Sequence, residues 1–162
     1  MEENKEVIDV QNTNTASKAK QYIVIKIGTE QYGIDIKYVD NIVRNQRITR
    51  IPKAQPFFKG VINLRGEIIP VMSLRLKFGL EPDEYTNATR IIIIKLEAQS
   101  AIGLIVDEVR EVVALTEEAI EKNTTADFND EKAQYLSGIG KNGESLISLL
   151  NIASVIIEKE VV

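Results

Sequence analysis

The chain has no cysteine, no histidine and no tryptophan among its 162 residues. Without cysteine there is no disulfide frame and no thiolate nucleophile, a composition in keeping with a reducing cytoplasm. Without histidine there is no imidazole base, no phosphohistidine and no ordinary zinc ligand set. These two absences remove most routes to catalysis. Aromatic residues make up only 6%, which leaves few platforms for stacking bases. The longest strongly apolar run, Ile91–Ile94, is far short of a membrane span. A formal net charge of −4 gives no global attraction for nucleic acid or an anionic membrane.

What is present is aliphatic. Apolar residues make up 44%, and the abundance of Ile and Val points to a β-rich interior. Residues 1–19 are polar and acidic, read as a flexible tail and not as a secretory signal.

An internal repeat organises the rest. Gly33-Ile34-Asp35-Ile36-Lys37-Tyr38-Val39-Asp40-Asn41-Ile42-Val43 aligns without a gap on Gly103-Leu104-Ile105-Val106-Asp107-Glu108-Val109-Arg110-Glu111-Val112-Val113. Upstream, Ile23–Ile27 matches Ile92–Leu96. Each half therefore starts strand, turn, strand, followed by a segment whose apolar positions fall three apart. The spacing of Val39 and Ile42 fits one face of a helical turn, and it serves plain core packing as well.

The most informative stretch is Gly60-Val61-Ile62-Asn63-Leu64-Arg65-Gly66-Glu67-Ile68-Ile69-Pro70-Val71. Two apolar runs flank a polar bend ending in glycine, the pattern of a β-hairpin with Arg65 at its tip. A guanidinium on a rigid tip suits capture of a partner's carboxylates or carbonyls; from the spacing alone, Arg65 reads first as a solvated turn residue. Gly138–Leu146 echoes this hairpin, with Lys141-Asn142-Gly143 at its bend and, by alignment of the glycines, one residue fewer. Ser73 and Asn151 each precede a short apolar stripe as helix caps, and Gly79 is a stop signal. Arg44–Lys59, with Pro52 and Pro56, reads as an extended loop, Glu81–Ala88 as the link between halves, and Thr116–Ile120 as the start of a short helix. Many short strands with a few helical turns point to small closed barrels.

Other patterns carry little chemistry. The neighbouring acids Asp107/Glu108 and Glu117/Glu118 diverge on a strand or helix and so do not converge on one reacting group. Asp127, Asp130 and Glu131 lack an EF-hand spacing. Gly138, Gly140 and Gly143 make a G-x-G-x-x-G run, but an apolar strand follows it where a phosphate site needs a helix. Lys53, Lys59, Arg65, Arg75 and Lys77 form a local basic region, the one support for single-strand binding by such a barrel.

Taken in order and spacing, these segments resemble the CheW family of bacterial chemotaxis adaptors. The resemblance runs from about Gln21 to Ile157. It rests on Tyr32–Ile36, Ile48-Thr49-Arg50-Ile51-Pro52, Gly60–Gly66, Ile68–Val71, Gly103–Val109 and Tyr135–Gly140. It implies a mainly β fold of two small five-stranded SH3/OB-like barrels with partly exchanged C-terminal strands. The halves would lie at about 20–80 and 88–150, followed by a helix at about 151–160, all within one domain at 20–160.

The resemblance also implies a non-enzymatic scaffold, without metal, cofactor or catalytic residue. Such a scaffold is cytoplasmic and recruited to membrane receptor arrays. It joins the tip of methyl-accepting chemoreceptors to the regulatory domain of the histidine kinase CheA, with no nucleic-acid partner and no membrane insertion. By position, the family's receptor-coupling hairpin falls on Gly60, Asn63, Leu64 and Arg65, and its kinase-docking pair on Val39 and Ile42. Two departures stand out. Asn41 replaces a frequent acid, and Ser73 replaces a frequent Asp that it can match as a cap. A CheV-like protein, in which the same module precedes a receiver domain, is the second reading, and a single-strand-binding barrel is the third.

Overall fold

The computed structural model describes residues 19–96, 100–122 and 131–156. Most of the N-terminal tail, Asp127, Asp130 and the expected helix beyond residue 156 lie outside them. The chain enters as β1 (Lys20–Ile27) and β2 (Glu30–Asp35), passes a 3-10 turn at Ile36–Tyr38, and continues as β3 (Val39–Arg44), β4 (Phe58–Leu64) and β5 (Glu67–Ser73). Helix α1 (Leu74–Lys77) and a link lead to β6 (Arg90–Ile94), β7 (Ile102–Val106) and β8 (Glu108–Leu115). A 3-10 turn at Glu117–Ala119, one turn where a short helix was expected, precedes β9 (Ile120–Lys122). The chain ends in β10 (Leu136–Asn142), β11 (Ser145–Leu150) and α2 (Ile152–Ile156).

Two sheets result, ordered β8-β1-β2-β11-β10-β9 and β3-β6-β7-β5-β4. The first two strands of each half pair with the later strands of the other half, so each sheet draws on both halves. The first sheet has six strands instead of five because β9 folds back on β10, pairing Glu121 with Ile139.

Three apolar clusters hold this together. One fills the first barrel with Tyr22, Val24, Leu115, Ile147 and Leu149. A second fills the other with Ile62, Ile69, Val71, Ile91, Ile93 and Ile105. The third lies between the barrels and includes Ile23, Ile25, Ile27, Ile92, Ile94, Leu104 and Val106. Strand side chains alternate, so Ile91 and Ile93 enter a barrel while Ile92 and Ile94 enter the junction. A strand buried on both faces needs an unbroken apolar run, which explains why Ile91–Ile94 reads as it does.

The caps fall where the sequence places them. Ser73 Oγ accepts the Leu76 amide at 3.2 Å, and Asn151 Oδ1 accepts the Ser154 amide at 3.3 Å. Gly79 (φ 76°) ends α1, with the Leu80 amide on the Arg75 carbonyl at 2.8 Å.

Candidate functional site

Val39 and Ile42 lie on a strand, not on the helical turn that their spacing fits. Both β3 and β6 are extended, and Val39 pairs with Ile94, Asn41 with Ile93 and Ile42 with Ile92. The extra residue is Asp40, a β-bulge. On a regular strand, residues three apart face opposite sides; the bulge brings both back to the face shared with Ile92 and Ile94. Val39 and Ile42 thus stand half-buried at the rim of the inter-barrel core. Asn41 Oδ1 accepts the Ile42 amide at 2.8 Å, so the residue that replaces the acid stabilises the bulge locally. The second half repeats the device: Val109 pairs with Ile25 and Glu111 with Val24, leaving Arg110 as the extra residue.

The hairpin of β4 and β5 closes at Leu64 and Glu67, leaving Arg65-Gly66 as a two-residue loop. Arg65 has φ 54° and Gly66 φ 86°. Positive φ at both positions is the signature of a type I′ turn, which matches the twist of the strands. The Asn63 Oδ1 accepts the Gly66 amide at 2.9 Å and holds the bend. Leu64 is half-buried against the core of its barrel. Arg65 is exposed, and so is Ile68, opposite Asn63 on the next strand, at 59%.

The second hairpin corrects the glycine alignment. It closes at Asn142 and Ser145, so its loop is Gly143-Glu144, also two residues. Gly143 (φ 64°) therefore occupies the place of Arg65, and Glu144 that of Gly66. Neither copy lacks a residue. At the same left-handed position one copy has the residue suited to it and the other has arginine. A non-glycine side chain there costs about 1–2 kcal/mol.

Gly60 is buried and has φ 142°; a Cβ on it would lie 2.0 Å from the Thr49 carbonyl oxygen. Thr49 and Val61 exchange two backbone hydrogen bonds, each 2.8 Å. Gly60 thus holds the 45–57 loop against the hairpin instead of presenting a side chain. Gly138 repeats the arrangement, its missing Cβ 2.7 Å from the Glu121 carbonyl oxygen.

Asp107 has a role that sequence reading missed. It is the single residue between β7 and β8, where the chain leaves one sheet for the other. Arg75 Nε donates to its Oδ1 at 2.8 Å, Arg75 Nη2 to its Oδ2 at 2.6 Å, and the Gly28 amide to Oδ2 at 2.8 Å. Partial burial pushes this carboxyl upward, but the Arg75 and Gly28 hydrogen bonds outweigh it and hold it below 3.8. Asp83 behaves oppositely. Burial raises its pKa despite a hydrogen bond from the Ser73 hydroxyl, and Oδ1 has no partner among the described residues. The available signal was the matching charge of Arg75 and Asp107, but 32 residues separate them, and a single sequence does not show which charges pair.

Among the described residues, no group of three or more His, Cys, Asp or Glu is placed to hold a metal, and no helix is long and apolar enough to cross a membrane. The fold and these surfaces define a two-barrel protein whose distinctive features are an apolar edge and a cationic turn.

The CheW-like domain model matches residues 21–160. The chain is 35% identical to the chemotaxis protein CheW of Klebsiella aerogenes over 142 residues, 87% of this chain and 84% of that one. It is 33% identical to the Bacillus subtilis chemotaxis protein CheW, covering 87% and 88%. The crystal structure of the scaffolding protein TtCheW from Thermoanaerobacter tengcongensis superposes with a TM-score of 0.74 at 36% identity, covering 82% of this chain and 89% of that one. The chain belongs to the CheW family, the adaptors of bacterial chemotaxis.

Proposed function

We propose that this chain is a non-enzymatic coupling protein that joins the cytoplasmic tip of methyl-accepting chemoreceptors to the regulatory domain of the kinase CheA. It acts in the cytoplasm, recruited to membrane receptor arrays. Val39 and Ile42 dock the kinase domain. Arg65, held by Asn63 and Leu64, engages the receptor, and Gly60 positions the hairpin.

The observation that carries this reading is the presence of two unlike surfaces built on different parts of the core. Val39 and Ile42 pack against the inter-barrel cluster, whereas Leu64, next to the Arg65 turn, packs against the core of one barrel. An adaptor needs two partners bound at once, and surfaces that share no residue allow it. A strained cation supports the receptor role, because backbone strain persists where function selects it.

Separation of function tests the reading. Val39→Asp puts a carboxylate into an apolar contact and weakens kinase-domain binding by about 2 kcal/mol or more, roughly 30-fold, while receptor-tip binding persists. Arg65→Ala shows the reverse pattern. A Val39→Asp protein that stays folded and binds the kinase domain like wild type sinks the assignment.

A further inference from the structure

We infer that the end of β3 and the start of β6 form a binding site for a small phosphate-bearing anion, held between Arg44 and Arg90. The two arginines stand directly opposite each other, the last residue of β3 against the first of β6. Like charges placed opposite across an antiparallel pair destabilise it. Neither arginine makes an ion pair among the described residues, so no carboxylate there offsets the repulsion.

The duplicated half shows that the fold does not require this pair. The alignment that sets Ile92 on Ile23 and Val43 on Val113 also sets Arg90 on Gln21 and Arg44 on Ala114. Gln21 and Ala114 are themselves opposite each other, on β1 and β8. The same cross-strand place is thus uncharged in one half and doubly cationic in the other.

Local geometry prepares Arg90. A tight turn precedes β6, in which the Thr89 amide donates to the Thr86 carbonyl at 3.2 Å and the Thr86 amide to Thr89 Oγ1 at 2.9 Å. Arg90 Nη1 donates to the Asn87 and Thr89 carbonyls of that turn at 2.7 and 2.8 Å. These two bonds orient the guanidinium and leave its Nε and Nη2 without a partner among the described residues. Arg44 is exposed. Both arginines line a cavity of about 590 Å³ together with Asn45, Thr86, Asn87 and Thr89.

The lining sets the class of ligand. Two guanidiniums balance a dianion, which favours a phosphoryl group over a single carboxylate, and each planar fork matches two of its oxygens. The Thr86 hydroxyl and the Asn45 and Asn87 amides supply further donors. No acidic, aromatic or wholly aliphatic side chain of the described residues lines the cavity. A nucleobase or an acyl chain therefore finds no apolar surface there. The ligand is a small polar phosphate, either an inorganic one or the phosphate ester of a short polyol or sugar.

The test titrates the full chain with pyrophosphate, glycerol 3-phosphate, ADP and citrate in turn, at constant ionic strength near 50 mM. NMR follows the arginine Nε–H resonances. Pyrophosphate is expected to shift those of Arg44 and Arg90 saturably, at one ligand per chain. ADP is expected to bind within about threefold of pyrophosphate, because its base adds no contact. Glycerol 3-phosphate separates the two sources: binding as tight as pyrophosphate supports a site for phosphate esters, and binding much weaker supports one for the inorganic anion. Arg44→Gln is expected to lose about tenfold or more in pyrophosphate affinity. Without ligand the same variant melts at or above the wild-type temperature, since the opposed charges are gone. A drift that does not saturate, or that chloride or the Arg44→Gln protein reproduces, overturns the inference. Citrate binding more tightly than pyrophosphate, or ADP about tenfold more tightly, overturns the assigned class. Arg44→Gln melting well below wild type also overturns it, because the pair would then be structural.

Discussion

Arg65→Gly is expected to leave the protein as stable as wild type or more so while abolishing receptor coupling. At φ 54° the arginine backbone sits in the left-handed region, which costs a non-glycine residue about 1–2 kcal/mol. Glycine removes that cost but makes the unfolded chain more flexible by about 0.5–1 kcal/mol. The side chain is exposed and makes no ion pair among the described residues, so little else is lost. The balance is between no change and a gain of about 1 kcal/mol, or up to about 3 °C in melting temperature. Gly143 stands at the corresponding loop position of the second hairpin, also with positive φ. Arg65→Ala is the control: it keeps the strain, loses the charge, and is expected to melt about where wild type does. Denaturant unfolding measures the stabilities, and titration with the receptor tip measures the coupling. A loss of more than about 1 kcal/mol in Arg65→Gly would refute the reasoning, since the guanidinium would then be a structural group.

Three further substitutions probe the frame of the fold. Gly60→Ala places a methyl 2.0 Å from the Thr49 oxygen; we expect a loss of about 2–3 kcal/mol and faster hydrogen exchange at the Thr49 and Val61 amides. Asp107→Asn breaks a bidentate pair that is one-quarter exposed, and is expected to cost about 2 kcal/mol in urea unfolding. Because the Asp107 pKa is lowered from 3.8, its contribution is full above that value and is lost as pH falls through the folded-state pKa, a loss absent from the variant. Asp83→Asn has the opposite sign. Its raised pKa means that ionisation at neutral pH costs stability, so the variant is expected to be at least as stable at pH 7, with the difference shrinking as pH falls toward 3.8.

Sequence patterns carried the fold a long way, and the reasons are local. The hairpin, the two caps and the Gly79 stop rest on residues within a few positions of one another, and the duplication on a spacing repeated in both halves. Misreadings arose where strand geometry departs from its ideal period. Val39 and Ile42 fit a helical spacing because a bulge at Asp40 inserts one residue and turns a period of two into three. Gly66 and Gly143 aligned by identity although Gly66 is the second residue of its two-residue loop and Gly143 the first of its own. The exchange of strands between sheets and the Arg75–Asp107 pair depend on contacts across the chain, which a single sequence does not encode in any nearby pattern. The unusual feature at Arg65 was visible as a residue but not as a strained one, because strain is a property of the folded backbone.

Simultaneous occupancy tests the adaptor account most directly. The chain, preloaded with a saturating CheA regulatory domain, is titrated calorimetrically with the receptor tip. The account predicts that the tip binds the loaded protein with an affinity within about threefold of that for the free protein, because the two surfaces share no residue and pack against different clusters. Displacement of the kinase domain by the tip, or loss of tip binding on loading, would contradict it.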